Sequence, residues 1–195
     1  MRSAVSLLAS ALLFVRIAAA ESVVSARDGN IFVSNDGTEK QLTSSGRDSA
    51  AVPDPQGKWV VFARSVEGKP IQTGNDPDGY PASELWQVRA DGKQPTLLLR
   101  TRNADKPDNI IAAFEELQFS SDGRRVYFIS PAWTTSGAVH MLDTTNGKER
   151  FLMPGNQLRV IHSGDYRDHL LVNQHRYFMG GGSYDWFYLF APDGK

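Results

Sequence analysis

Phe119-Ser120-Ser121-Asp122-Gly123-Arg124-Arg125-Val126-Tyr127-Phe128 is the stretch on which the fold turns. A polar Ser-Ser-Asp-Gly-Arg turn leads directly into Val126-Tyr127-Phe128-Ile129, a run of β-branched and aromatic residues. Asp-Gly between β-rich runs is a strong hairpin signal, because a two-residue type I′ turn needs positive φ at both central positions. The same shape stands at Asp54-Pro55-Gln56-Gly57-Lys58 before Trp59-Val60-Val61-Phe62-Ala63. A degenerate copy, Tyr166-Arg167-Asp168-His169, precedes Leu170-Leu171-Val172. A second family of turns alternates with the first. Ile31 to Gly37, Leu85 to Gly92, Val139 to Gly147 and Phe187 to Gly194 each run from a hydrophobic strand into Asp-Gly or Asn-Gly, with the glycines 55, 55 and 47 residues apart.

Each unit therefore reads as four antiparallel strands, with the fourth strands at 40–43, 96–99 and 150–153. Helical periodicity is nearly absent; residues 110–118 fit either a short helical turn or, over Glu115 to Phe119, an inner strand. Four-stranded sheets repeating at about 45 to 55 residues read as the blades of an all-β β-propeller. A β-sandwich is the competing all-β architecture, and the repeated pairs of turns favour the propeller. Fourteen strands are expected, about 3.5 blades, opening on Val23-Val24-Ser25 as the second strand of a blade and stopping at Lys195 inside a turn. Closed propellers carry about four to eight blades. The expectation is that the chain is the front part of a longer propeller, or that copies self-associate through open blade edges, since unpaired edges invite pairing.

Composition narrows the function classes. With 21 Lys+Arg against 22 Asp+Glu and no Cys, the chain is neither a disulfide scaffold nor a thiolate metal site. It also lacks the basic surplus that nucleic-acid binding requires. Residues 1–20 read as a signal peptide: Arg2, an apolar run from Ala4 to Val15, and Ala18-Ala19-Ala20 as a small-residue cleavage site. The apolar run is shorter than the roughly 20 residues that span a bilayer, so no membrane span is expected after its removal. Cleavage takes away Arg2 and Arg16 and no acid, leaving residues 21–195 with a net charge of −3. A periplasmic or secreted location follows.

Asp54 to Ala63 and Phe119 to Phe128 resemble the SPDGK-hydrophobic-aromatic motif of the TolB-like β-propeller repeats. Leu85 to Leu99 and Ile31 to Thr43 resemble the other half of the same repeat, and the likeness covers most of 22–153, continuing weakly to 195. The resemblance implies the fold and little about function, because the repeat recurs in periplasmic scaffold proteins, oligopeptidases and polysaccharide lyases.

Successive antiparallel strands reverse direction, so alternate connections lie at opposite ends of every blade. The tight turns share one end. Arg64 to Ser83, Arg100 to Ala113, Ser130 to Gly137 and Gln174 to Tyr184, the long connections, share the other. Long loops on a rigid scaffold are where binding residues are carried. The candidate binding residues are accordingly Tyr80, Trp133, Tyr177, Tyr184 and Trp186, aromatic groups suited to a protein hot spot or to sugar stacking, with Asp76 and Asp78 of Asn75-Asp76-Pro77-Asp78-Gly79. That acidic segment is out of register with a calcium loop, with Gly74 at the first ligand position and Leu85 at the twelfth, and reads more readily as an ordinary turn. His162, His169 and His175, near Asp165 and Asp168, could gather a metal, and Asp105, Asp108, Glu115 and Glu116 could furnish a glycosidase acid pair. Neither pattern has a motif, and no Gly-x-Ser-x-Gly elbow is present. No catalytic residue, metal or cofactor is expected. The expected activity is binding of a protein or peptide of the cell envelope, or of an envelope glycan; a polysaccharide lyase-like enzyme of propeller type is the alternative.

Overall fold

Fourteen strands form four antiparallel sheets in the computed structural model, which describes residues 23–68, 70–74 and 78–195. The signal peptide expected at 1–20, and Asp76, lie outside the described residues. The first sheet holds β1 (Val23–Arg27), β2 (Asn30–Asn35) and β3 (Thr38–Gln41). The second holds β4 (Asp48–Pro53), β5 (Trp59–Ser65), β6 (Ser83–Arg89) and β7 (Thr96–Leu99). In the third are β8 (Glu115–Phe119), β9 (Arg125–Pro131), β10 (Gly137–Asp143) and β11 (Glu149–Gly155). The fourth has β12 (Gln157–Val160), β13 (Leu170–Tyr177) and β14 (Ser183–Phe190). Every sheet is a meander in chain order. Residues 115–119 take the inner-strand option, and the only helical turn among the described residues is a 3₁₀ turn at Pro107–Asn109.

Each sheet packs face to face on the next, with β1, β4, β8 and β12 in successive contact along the inner side, and the array of sheets is not closed. The packing explains why the second strands are continuous hydrophobic runs. Side chains alternate across a strand, so Val60 and Phe62 join Ile31 and Val33 of the first sheet, while Val61 and Ala63 join Phe119, Val126 and Phe128 of the third. Tyr127 and Ile129 in turn meet Leu158, Leu170 and Val172 of the fourth. Both faces of β5 and β9 are buried because each lies between two sheets.

Turn geometry departs from the simple type I′ expectation. Among the Asp-Gly and Asn-Gly turns of the described residues, only Asp28-Gly29 and Asp36-Gly37 have positive φ at both central residues. At Asp91-Gly92, Asp122-Gly123 and Asn146-Gly147 the glycine alone is left-handed. There an acid closes the loop instead: Asp122 Oδ1 accepts from Ser120 Oγ and the Arg124 amide at 2.6 and 3.0 Å, and Asp91 Oδ1 accepts from the Lys93 amide at 3.0 Å. These side-chain bonds do locally what the second positive φ does in a type I′ turn. Inner strands β4 and β8 share a bulge, with Ala50 and Glu116 both at φ 50 and register shifts after Ser49 and Glu115. Such bulges re-aim side chains.

Candidate binding site on the long-loop face

The long connections interlock at one end of the sheets. Ile71 and Tyr80 exchange backbone hydrogen bonds of 3.0 and 2.7 Å, folding the β5–β6 connection into its own small hairpin. The Gly74 amide donates to Ala132 O at 2.9 Å, and a Cβ on Gly74 would lie 2.7 Å from the Thr134 amide nitrogen, so only glycine allows this approach between two loops. The β7–β8 connection is tied in by the Ser83 amide donating to Ala112 O and the Ala112 amide donating to Ser130 Oγ.

A cleft of about 320 Å³ opens between these loops, lined among others by Glu115, Trp133, Thr135 and Asn156. Tyr80 OH donates to Glu115 Oε1 at its edge. That bond, with burial and the carboxylate charge adding to it, pushes the Tyr80 hydroxyl up to about 12, so it stays a neutral donor. Trp133 is half-buried with its ring 6.0 Å from that of Phe151. Tyr177 OH and Thr135 Oγ1 are 3.1 Å apart across the far side. Asn156 braces the wall: its Nδ2 donates to Thr135 O at 2.9 Å and its Oδ1 accepts from the Gly137 amide at 3.0 Å. Of the sequence-derived candidates, the structure thus brings Tyr80, Trp133 and Tyr177 to one cleft.

Tyr184 and Trp186 belong to a neighbouring feature, the tip of the β13–β14 hairpin. Tyr177 (67% exposed), Phe178 (57%), Met179 (109%) and Trp186 (65%) present a patch of large apolar side chains to solvent. The Phe178 and Tyr184 rings pack in a tilted pair with centroids 4.7 Å apart, and His175 Nδ1 pairs with Asp185 Oδ1 at 3.0 Å. Gly181 and Gly182, both at positive φ, carry the chain through the reversal, so the three glycines form a hairpin loop between strands. Asp78 is exposed on the β5–β6 connection. Asn75 to Pro77 of the calcium-like pattern, Asp76 among them, lie outside the described residues.

The chemical alternatives disperse. His169 stands immediately before β13 and His175 near its end, about 20 Å apart at the roughly 3.3 Å rise per strand residue. Among the described residues no three His, Cys, Asp or Glu side chains converge to hold a metal ion. Glu115 is engaged by Tyr80 and Glu116 by the Leu158 amide at 3.0 Å, so the two adjacent acids serve different neighbours. The expectation that all the length falls on one face needs one correction. Residues 161–169 form an extended connection on the tight-turn face, held by the Asp168 amide donating to Ile161 O and Asp168 Oδ1 accepting from the Ser121 amide.

Sequence reasoning also missed a buried polar network. His140 Nδ1 pairs with Glu149 Oε1 at 2.6 Å, and Arg102 Nη2 donates to Glu149 Oε2 at 2.8 Å. Burial alone would raise the Glu149 carboxyl, but the bonds to His140 and Arg102 hold it below the usual range. Arg102 Nε also donates to Asn109 O, so the network fastens the β7–β8 connection to the third sheet. Thr135 and Asn156 were likewise unmarked, because neither stands in a motif.

With four sheets, a meander in each and sheet-on-sheet packing established, the chain is similar to solved structures. A putative TolB from Agrobacterium tumefaciens matches with a TM-score of 0.58 at 12% identity, over 89% of this chain and 55% of that one. The fold is that of a TolB-like β-propeller. The propeller domain of the Trilobed protease from Pyrococcus furiosus, described as having an open velcro topology, matches at TM-score 0.54 and 14% identity, over 87% of this chain and 49% of that one. An oligogalacturonate lyase in complex with manganese matches at TM-score 0.50 and 10% identity, over 80% of this propeller chain and 41% of that one. The chain thus spans about half the length of these structures. No family model and no curated protein matches it.

Proposed function

We propose that the chain is an exported, non-enzymatic binding module that takes a protein or peptide of the cell envelope on its long-loop face. The observation that carries this reading is the concentration of aromatic groups at one end. Tyr80, Trp133 and Tyr177 surround a cleft, and Tyr177, Phe178, Met179 and Trp186 stand exposed beside it. Contiguous exposed apolar side chains at a rigid loop face are what protein-binding surfaces present, with large aromatics as anchors. Export rests on the signal-peptide pattern of residues 1–20. Among the described residues no helix is long and apolar enough to cross a membrane. An envelope glycan is the second class of ligand that a cleft lined by Trp133, Glu115 and Asn156 suits, through ring stacking and hydrogen bonds. A lyase-type activity has less support, since His175, near the end of β13, stands far from His169, which precedes that strand.

The test is capture of envelope proteins by the tagged chain, compared with Trp133→Ala and Tyr184→Ala. Both variants should lose capture while keeping the parent's melting curve. Unchanged capture by both would place the binding surface elsewhere. Capture of glycans by the parent, lost in Trp133→Ala, would move the ligand to the second class.

A further inference from the structure

The opposite, tight-turn face carries a larger cleft, of about 450 Å³, at the inner side of the sheets. Its apolar part comes from Val52 and Pro53 at the end of β4 and Phe119 at the end of β8. The other side is His162 and Arg167, brought over by the 161–169 connection, with Ser121 between. Two contacts hold that connection in place. Asp168 Oδ1 accepts from the Ser121 amide at 2.6 Å, and Ser121 Oγ lies 3.4 Å from His162 Nδ1. Asp168 is thereby turned onto backbone, and the Arg167 guanidinium has no hydrogen bond or ion pair with any described residue. Asp54, the acid on the lining, accepts the Lys58 and Trp59 amides on Oδ1 at 2.6 and 2.8 Å.

We propose that this cleft binds the C-terminal residue of a peptide whose last side chain is apolar. The free guanidinium of Arg167, with His162 and Ser121 Oγ beside it, offers the planar donor set that a carboxylate takes up in charge-assisted bonds. The side chain rests on Val52, Pro53 and Phe119. Asp54 distinguishes a peptide from a simple apolar acid. A carboxylate has more lone pairs than the two amides on Oδ1 use, and a peptide N–H one bond from its terminal Cα supplies a donor where a plain acid has none. The site is separate from the long-loop face and independent of the function proposed for it.

Isothermal titration of the full chain with acetyl-Ala-Ala-Phe, its C-terminal amide and 3-phenylpropionate tests the assignment. The free-acid peptide should bind at least tenfold tighter than either the amide or 3-phenylpropionate. Arg167→Gln, an exposed change, should bring the acid down to the affinity of the amide and leave the amide unchanged, whereas Tyr177→Ala on the far face should alter neither. Equal binding of acid and amide, no binding of the acid, or an acid affinity untouched by Arg167→Gln would overturn the proposal. Equal binding of 3-phenylpropionate and the peptide would overturn the peptide as occupant.

Discussion

Gln118→Leu should cost this fold more stability than any other single exchange of comparable volume on β8. In the parent, Gln118 Nε2 donates to Leu158 O, and Gln118 Oε1 accepts from the Val160 amide at 2.8 Å. One side-chain amide therefore does for β12 what a neighbouring strand would do, and both backbone groups belong to residues only 3% exposed. Leucine keeps the volume and removes both partners. Each buried backbone group left without a partner costs about 1–3 kcal/mol. The pair sums to about 2–6 kcal/mol, and because Gln118 also lines the tight-turn cleft, where water can enter, a value of about 3 kcal/mol is expected. Urea unfolding followed by tryptophan fluorescence reads it: with a slope of about 2 kcal/mol per molar for a domain of this size, the midpoint falls by about 1.5 M. Hydrogen exchange gives the local signature, faster exchange of the Val160 amide. Gln118→Glu keeps the acceptor for Val160 but loses the donor to Leu158, and should fall between. A midpoint within 0.2 M of the parent (about 0.4 kcal/mol on that slope), with the Val160 amide still protected, would refute the reasoning.

Gly29→Ala should prevent folding or lower the melting temperature steeply, because a Cβ there would lie 2.1 Å from the backbone carbonyl of Gly46; a melting curve like the parent's would contradict this. Gly123→Val, at φ +72 and closest to the flexible Gln56 side chain with Pro55 Cδ at ordinary contact distance, should cost about 1–3 kcal/mol in urea unfolding, from backbone strain at a β-branched residue. For Asp48, burial alone would raise the carboxyl, but bonds from Arg64, Thr43 and Ser45 hold it below its ordinary value. Its stabilising contribution is therefore full above the unfolded carboxylate pKa of about 3.9 and lost as pH falls through the lower folded value. Asp48→Asn should flatten the acid limb of a stability–pH curve while lowering stability at pH 7. Alkaline difference spectra of parent and Tyr80→Phe should show one tyrosine ionising near 12, and Glu115→Gln should lower that value.

The strand count, and the loop distribution apart from the 161–169 connection, were legible because β-branched and aromatic runs and Asp-Gly turns are local signals, carried by stretches such as Trp59 to Ala63. The candidate cleft was legible in part. Tyr80, Trp133 and Tyr177 stand out as aromatics on long connections, whereas Glu115, Thr135 and Asn156 reach the cleft only through contacts between loops far apart in the chain. That Glu115 and Glu116 serve different neighbours was not legible, because nothing in the sequence announces the bulge. Glu116 takes φ 50 without being Gly or Asn, and that turn of the backbone sends its carboxylate to Leu158 while Glu115 meets Tyr80. The turn type at Asp122-Gly123 was hidden for a related reason, since the closing bond is made by a side chain.

The shared bulge of β4 and β8 has a wider meaning. Both inner strands bend at the same place, yet one carries a methyl group at the bend and the other a carboxylate that caps a neighbouring strand. Two residues on, Val52 packs against apolar neighbours where Gln118 forms its paired bonds. The architecture thus separates shape from chemistry: the path of the main chain is a common chassis, and the groups displayed around the axis are exchangeable fittings. The inner lining can therefore be rewritten one strand at a time with the bend left alone, as the different side chains of β4 and β8 already illustrate.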